Sequence, residues 1–299
     1  MLNYELLAGL SAVVSEGSFE SAAKVLNITP SAVSQRVKLL EERLGALLII
    51  RGKPCRATEY GYALFKHTEQ IQILEKKLLS TLPGNDWVDL DEPLLLRLAV
   101  NADSVGTWFP SVMNEITQIG NYLFDIIIDS EEKTSDLLRR GDVIAAVSAD
   151  KKPIQGFQNS YLGSLEYVAV ASPIFIEKYF ADNVIDEVTL NNAPCLTFDR
   201  NDNLPSKWVN LVTGKNLNGK TSWIPSFAGY IKACEQSIGW GMHPKLQIQD
   251  NLDDGSLVEL IPDSKIDVPL YWQYSSSYGK IMEDVTNIVV TKGKKLLQN

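Results

Sequence analysis

Apolar residues in the first sixty positions recur at steps of three and four in three separate runs, and this spacing predicts three helices. Leu6, Leu7, Leu10, Val13 and Val14 share a face behind Asn3, a predicted N-cap, and Gly17 ends the run. Ser18 caps a second helix, 19–26, with Phe19, Ala22, Ala23 and Leu26 together on one side. The two alanines allow a neighbouring helix to cross closely. After a turn at Asn27 and Ile28, Thr29 caps a third helix. Pro30 takes its first position, where a missing N–H costs nothing. On that helix Val33, Val37, Leu40 and Leu44 form an apolar stripe. Ser31, Ser34, Gln35 and Lys38 form the opposite stripe, and Arg36 lies on its flank.

That opposite stripe is short, polar and uncrowded. Ser and Gln both donate and accept, and Arg36 and Lys38 reach phosphate or guanine, so base edges can approach it. Glu41 and Glu42 repel phosphate and are expected beyond the groove. A short alanine-bearing helix, a tight turn and a Thr-Pro start together predict a helix-turn-helix. The candidate DNA contacts on it are Thr29, Pro30, Ser31, Ala32, Ser34, Gln35, Arg36 and Lys38. A strand over 47–51, a turn at Gly52-Lys53-Pro54 and a return strand over 55–58 predict a wing. Its Arg51, Lys53 and Arg56 suit phosphate contact or minor-groove insertion.

A long helix, capped by Thr58, is expected to run to about residue 81. Leu64, His67, Ile71, Leu74 and Leu78 alternate steps of three and four along it, a heptad seam that implies a helical partner. Two copies would present two recognition helices to a two-fold DNA site. Pro83-Gly84 ends this helix, and NDWVDLDEP (85–93) reads as a hinge.

Beyond the hinge, strands and helices alternate. Strands are predicted at 94–101, 123–129 and 143–148, with helices at 104–119 and 131–140. A second cycle spans about 164–265, with strands at 167–171 and 195–198 and helices after Pro173 and near 227–236. A strand at 268–274 and a last helix from about 278 return to the first unit. This is an α/β pattern with parallel sheet, arranged as two lobes joined by two crossovers. The expected fold is therefore α+β overall. A winged helix-turn-helix occupies 1–60 and a dimerisation helix with hinge 61–92. A binding domain of periplasmic-binding-protein type follows over 93–299, with lobe 1 at about 93–163 and 266–299 and lobe 2 at about 164–265. Trp108, Trp223, Trp240 and Trp272 are expected in its core.

Charge sharpens the division. Residues 1–60 hold seven Lys/Arg against six Asp/Glu, and the remaining 239 hold 21 against 31, within a net charge of −9. A near-neutral unit precedes an acidic one, and an acidic chain still binds DNA when its few cations share a face. Cys55, Cys195 and Cys234 are odd in number and far apart, so neither a disulfide framework nor a zinc cluster is expected. No apolar run approaches the roughly 18 residues of a membrane helix. The start, MLNYELLAGLSAVVSEG, lacks a basic segment and carries Glu5 within its apolar stretch, so a cytoplasmic location without membrane contact is expected.

Parallel α/β sheets bind ligands beyond the carboxyl ends of their strands. The candidates there are Asn101, Asp103, Ser104, Asp129, Ser130, Ser148, Asp199 and Asp202, with Ser226 at a helix start. Ser104 opens a predicted helix whose N–H groups suit a carboxylate. The acids, Glu131 among them, suit an ammonium or guanidinium group. An amino acid with a cationic side chain needs both kinds of partner. His67 and His243 are the only histidines, and no G-x-S-x-G, P-loop, H-E-x-x-H or paired C-x-x-C occurs, so an enzyme is not expected. An amino-acid solute-binding protein is the alternative reading, but it leaves the first ninety residues without a role.

The segment SFESAAKVLNITPSAVSQRVKLLEERLG, followed by R-x-x-P-x-R-x-T-E-x-G (Arg51 to Gly61), resembles the LysR-type transcriptional regulators. The proline-containing wing is most similar to the ArgP/LysG-like branch. So are LAVNADS-x-x-TW, LRRGDVIAAVS, EKYF and LYW further along. The resemblance implies a DNA-binding regulator without cofactor that takes a small effector, a lysine- or arginine-like amino acid, and controls an amino-acid exporter gene. It also implies a homodimer through the long helix, assembling to a tetramer, with RNA polymerase as a further partner. Pro225-Ser226-Phe227-Ala228-Gly229 stands where the branch carries a serine-rich, acid-containing segment.

Overall fold

The computed structural model describes residues 2–79, 93–128, 131–181 and 184–297. The hinge, Asp129 and Ser130 lie outside them. The N-terminal unit comprises α1 (Tyr4–Glu16), α2 (Phe19–Val25), α3 (Pro30–Leu44), β1 (Ile49–Ile50), β2 (Arg56–Ala57) and α4 (Glu59–Leu79). Its caps follow local chemistry. Asn3 accepts the N–H of Glu5 and Leu6, Ser18 that of Ser21, and Thr29 that of Ala32; Gly17 and Gly45 close α1 and α3 in the left-handed conformation. Leu6, Leu7, Leu10, Val13, Ala22, Ala23, Val33, Val37 and Leu40 form one buried cluster. Leu44 departs from the expected stripe and is exposed at the last position of α3.

The wing strands are two residues each, shorter than expected. Their flanking backbone groups bond elsewhere. Cys55 N–H donates to Gly17 O (2.7 Å), and Thr58 N–H to Leu48 O (2.9 Å). Thr58 Oγ1 donates to Leu47 O and accepts from Gly61 N–H. Gly61 is required here, since a Cβ on it would lie 2.0 Å from Leu48 O. The T-E-x-G motif thus clips α4 to the wing.

The binding domain contains β3 (Leu94–Ala99), α5 (Ala102–Gly106), α6 (Phe109–Thr117), β4 (Tyr122–Ile127), α7 (Glu131–Arg139), β5 (Ala145–Ser148) and β6 (Gln158–Ala171). Then come α8 (Pro173–Tyr179), α9 (Glu187–Asn192), β7 (Cys195–Thr197), α10 (Leu204–Thr213), β8 (Thr221–Trp223), α11 (Phe227–Glu235), β9 (Gly241–Pro244) and α12 (Gln249–Asp253). The series ends with β10 (Val258–Glu259), β11 (Lys265–Tyr274) and α13 (Lys280–Leu296). The single helix expected over 104–119 is two, because Pro110 has no N–H to continue α5 and instead sits in the first turn of α6.

The parallel expectation holds only locally. β3 runs parallel to β4 and β5, and β7 parallel to β8. The crossovers β6 and β11 pair antiparallel along their length, from Gln158 opposite Tyr274 to Val168 opposite Lys265. The larger sheet is therefore mixed and continuous, in the order β10-β6-β11-β5-β3-β4 with β9 also on β6. Long crossovers, rather than short loops, carry one lobe into the next. Trp108, Trp240 and Trp272 are buried as expected, but Trp223 is 46 % exposed and its ring stacks under Arg200 at 4.2 Å.

Candidate functional site

α3 turns its apolar stripe inward and leaves a polar face open. Thr29, Pro30, Ser31, Gln35 and Lys38 are exposed, and Ala32 and Ser34 are half-buried. Thr29 Oγ1 and Ser31 Oγ share a hydrogen bond of 2.9 Å, which fixes the hydroxyls at the helix entrance. Lys38 lies 3.6 Å from Glu42, a loose surface pair that phosphate can displace. Arg51, Lys53 and Arg56 of the wing are exposed. The Arg51 guanidinium lies over the Phe19 ring at 5.2 Å and donates to Ser34 Oγ at 3.4 Å, so the wing's first cation stands against the recognition helix.

Arg36 differs from its sequence-based assignment, whereas Glu41 agrees with its own. Arg36 turns away from the open face: its stem packs over Gly9 of α1 and its guanidinium pairs with Glu5 at 3.7 Å. Gly9 is small enough to admit it, and the flank position sends it inward. Glu41 is kept from any groove because its Oε1 accepts from Leu48 N–H (2.8 Å) and Ile49 N–H (3.3 Å), which anchors the wing to α3.

The expected seam of α4 divides. His67, Leu74 and Leu78 are exposed and Ile71 is half-buried, but Leu64 packs against the N-terminal core. Phe65, Thr68 and Ile73 are buried on the opposite side.

At the carboxyl end of β3, Asn101 begins α5 without capping it, and its Oδ1 is buried with no hydrogen-bond partner. Asp103 accepts a hydrogen bond from the Tyr167 hydroxyl of β6. Burial, against that hydrogen bond and with a smaller contribution from the charge of Asp202, pushes the Asp103 carboxyl up to about 6. Asp202 belongs to the other lobe, in the loop after β7. Burial raises it too, although it accepts from Phe198 N–H and Leu204 N–H. Asp103 therefore feels an acidic charge from the other lobe. Further along α5, a Cβ on Gly106 would make ordinary contact with lobe 2, 3.5 Å from Gln247 Nε2 and 3.7 Å from the Phe227 ring, so the two lobes meet here. Phe198 and Phe227 stack at 5.3 Å.

Ser104 is a correction. It is not at the helix start but inside a single turn, fully buried, and its Oγ accepts from Trp108 Nε1–H at 2.9 Å. Ser148 is buried and its Oγ accepts from Asp150 N–H. Asp199 Oδ1 accepts from Asn201 and Asp202 N–H, shaping its own loop. Ser226 caps α11 by accepting from Gly229 N–H at 3.3 Å. Asp129 and Ser130 lie outside the described residues. Tyr167, Phe227 and Gln247 were missed, and no local pattern marks them, because Tyr167 meets Asp103, and Phe227 and Gln247 approach Gly106, only in the folded chain.

The Cys234–His243 contact of 3.3 Å in lobe 2 has the ingredients of a nucleophile pair. Burial pushes the thiol up to about 12 and the imidazole down to about 3. Both are neutral at pH 7, so the contact packs the core and does not generate a thiolate. No helix among the described residues is long and apolar enough to cross a membrane, and none of their side chains group to hold a metal ion.

A winged helix-turn-helix with an open donor face, joined through a long helix to a two-lobed domain with a polar cleft, defines a ligand-responsive DNA-binding regulator. Family models agree. Residues 4–62 match the bacterial regulatory helix-turn-helix proteins of the lysR family, and residues 94–279 match the LysR substrate binding domain. The chain belongs to the LysR family of transcriptional regulators. It is 36 % identical over 297 residues to the regulator ArgP of Pseudomonas fluorescens, covering 99 % of each chain. It superposes on the crystal structure of ArgP from Mycobacterium tuberculosis with a TM-score of 0.76 at 34 % identity, over 100 % of both chains. It is 35 % identical over 282 residues, 94 % of each chain, to the lysine export transcriptional regulatory protein LysG of Corynebacterium glutamicum. Full-length LysG of that organism with bound effector Arg matches with a TM-score of 0.67 at 34 % identity, over 100 % of both chains.

Proposed function

We propose that this regulator responds to a basic amino acid, arginine or lysine, captured between its lobes, and that it controls an amino-acid exporter gene. The observation that carries the reading is the set of acceptors at the cleft. Asp103 is a carboxyl withdrawn from water that feels the charge of Asp202 from the other lobe, and the orphaned Oδ1 of Asn101 stands two residues before it in the chain. A guanidinium or ammonium group supplies the donors and positive charge that this set lacks. The LysG structure with bound effector Arg supports the same chemistry, and the role of LysG in regulating lysine export supports the target.

DNA contact falls to Thr29, Pro30, Ser31, Ala32, Ser34, Gln35 and Lys38 on the recognition helix and to Arg51, Lys53 and Arg56 on the wing. The exposed side of α4 pairs with a second copy, and the dimers assemble further to a tetramer. The protein works in the cytoplasm without cofactor or catalysis, and its output passes to RNA polymerase. Calorimetric titration of the full chain with the twenty amino acids tests the effector. Heat with arginine or lysine alone is expected; heat with neutral or acidic amino acids instead defeats the assignment. Operator binding by duplexes selected from random sequence tests the regulator directly.

A further inference from the structure

The contact between α4 and lobe 1 is built from charges rather than from apolar packing alone. Arg97 lies on β3, a strand with neighbours on both sides, and its side chain is only 12 % exposed. Its Nε donates to Asp125 Oδ2 of β4 at 2.6 Å. Its Nη1 and Nη2 donate to the two carboxylate oxygens of Glu69 on α4 at 2.7 and 3.2 Å, and the Phe65 ring lies 5.7 Å from its guanidinium. One turn earlier on α4, Lys66 donates to Asp142 Oδ1 at 2.5 Å and to the Arg140 carbonyl at 3.3 Å.

Neutralising Arg97 does not require Glu69, since Asp125 of the same lobe already balances it. The second carboxylate makes the cluster net negative, and burial pushes Glu69 up against the pull of Arg97. Buried ion pairs are poor sources of stability, and their best-attested use is to select one arrangement over others. Two pairs of opposite polarity on adjacent turns do this. Sliding α4 by one turn brings Lys66 toward Arg97 and parts Glu69 from it.

The pair also sits between the two functional regions. Asn101 is four residues beyond Arg97 along β3, about 13 Å. Gly61, where α4 is clipped to the wing, is eight residues before Glu69, about 12 Å of helix. We propose that Arg97 is a positioning residue that links the cleft to the DNA-binding unit, holding α4 in one register through Glu69 and releasing it when β3 shifts with the ligand. The inference rests on the basic amino-acid reading above. A ligand biases an equilibrium only through contacts that differ between the states, and the forked Arg97–Glu69 contact is such a difference.

The test uses the full-length chain and its variants Glu69→Gln, Arg97→Gln and Asp125→Asn. Operator affinity is measured with and without saturating arginine, and arginine affinity is measured without DNA. The expected result is an arginine response of operator affinity that falls to within twofold of none in Glu69→Gln and Arg97→Gln. Arginine affinity in Glu69→Gln changes less than threefold, the sedimentation coefficient is unchanged, and the double variant is no worse than either single. Asp125→Asn, which touches the same guanidinium from within the lobe, keeps most of the response. A purely structural role predicts parallel losses in all three variants. A Glu69→Gln protein that binds arginine and responds as the wild type does overturns the link. A wild type that binds neither arginine nor lysine overturns the effector reading and the link with it, and the wild-type titration alone tells these two failures apart.

Discussion

The recognition face and the interlobe cleft use polar side chains in opposite ways. On α3 the hydroxyls, amide and ammonium stand on one side of a single helix, most of them exposed, and their capping residues lie next to them in sequence. In the cleft, Asp103, Tyr167 and Asp202 come from three distant segments and are largely withdrawn from water. An exposed donor face binds a polyanion that brings its own charge, at little desolvation cost. A carboxyl withdrawn from water carries a desolvation cost that a cationic ligand relieves. The first region is tuned by salt, the second by pH.

The largest effect tests whether the regions are separable. Leu10→Ala empties a fully buried position of the N-terminal cluster and is expected to destabilise that unit by about 2–5 kcal/mol. Thermal unfolding should show it and operator binding should fail, with arginine titration unchanged. Loss of both activities together would mean that the two units share one folding transition.

Next is the cleft itself. Asp103→Asn should weaken arginine binding by about 2–4 kcal/mol through loss of one partner of a desolvated pair, with operator affinity in the absence of arginine unaltered. An unchanged titration removes Asp103 from the site. The wild type carries a matching pH signature. Asp103, held up to about 6, is ionised above that pH and protonated below it. Arginine binding should weaken by about tenfold per unit as pH falls below about 6, with a proton released on binding. The sign for folding is the reverse. An acid raised in the folded state adds stability fully below its unfolded value, and that contribution is lost as pH rises through about 6. A flat affinity from pH 7 to 5 would sever the comparison at its acidic end.

On the DNA side, Gln35→Ala should reduce discrimination between operator and random duplex by about 1–3 kcal/mol at fixed salt. A constant specificity ratio would move base reading elsewhere on α3. The smallest effect is expected from Arg51→Ala. It should lower affinity on every sequence alike and flatten the salt slope by about one unit. Because Arg51 also rests on Phe19 and Ser34, a change in specificity as well would show that its placement helps to orient α3.

Legibility in the sequence followed the range of the interactions. The caps Asn3, Ser18 and Thr29, the end at Gly17 and the inward stripe of α3 were readable because each depends on neighbours within one or two turns. The strand ends that frame the cleft were readable as positions, and Asp103 and Asp202 were among them. Ser104 was placed at a helix start although α5 begins after Asn101, which makes no capping bond, and Arg36 was misread because Gly9 of another helix admits its stem. The one helix that divides into α5 and α6 carried its signal in Pro110.

The sequence by itself determined the class of the protein, the recognition helix with its polar side, the wing cations, and the acidic character of the binding domain. These depend on periodicity, capping and charge, which are local or additive properties of the chain. The tertiary structure decided that Tyr167 bonds to Asp103, that β6 and β11 fuse the lobes into one mixed sheet, and that Glu69 meets Arg97. Each is a contact between residues at least 28 positions apart, and only the packing of the whole chain selects one such pairing among the many that local pattern permits.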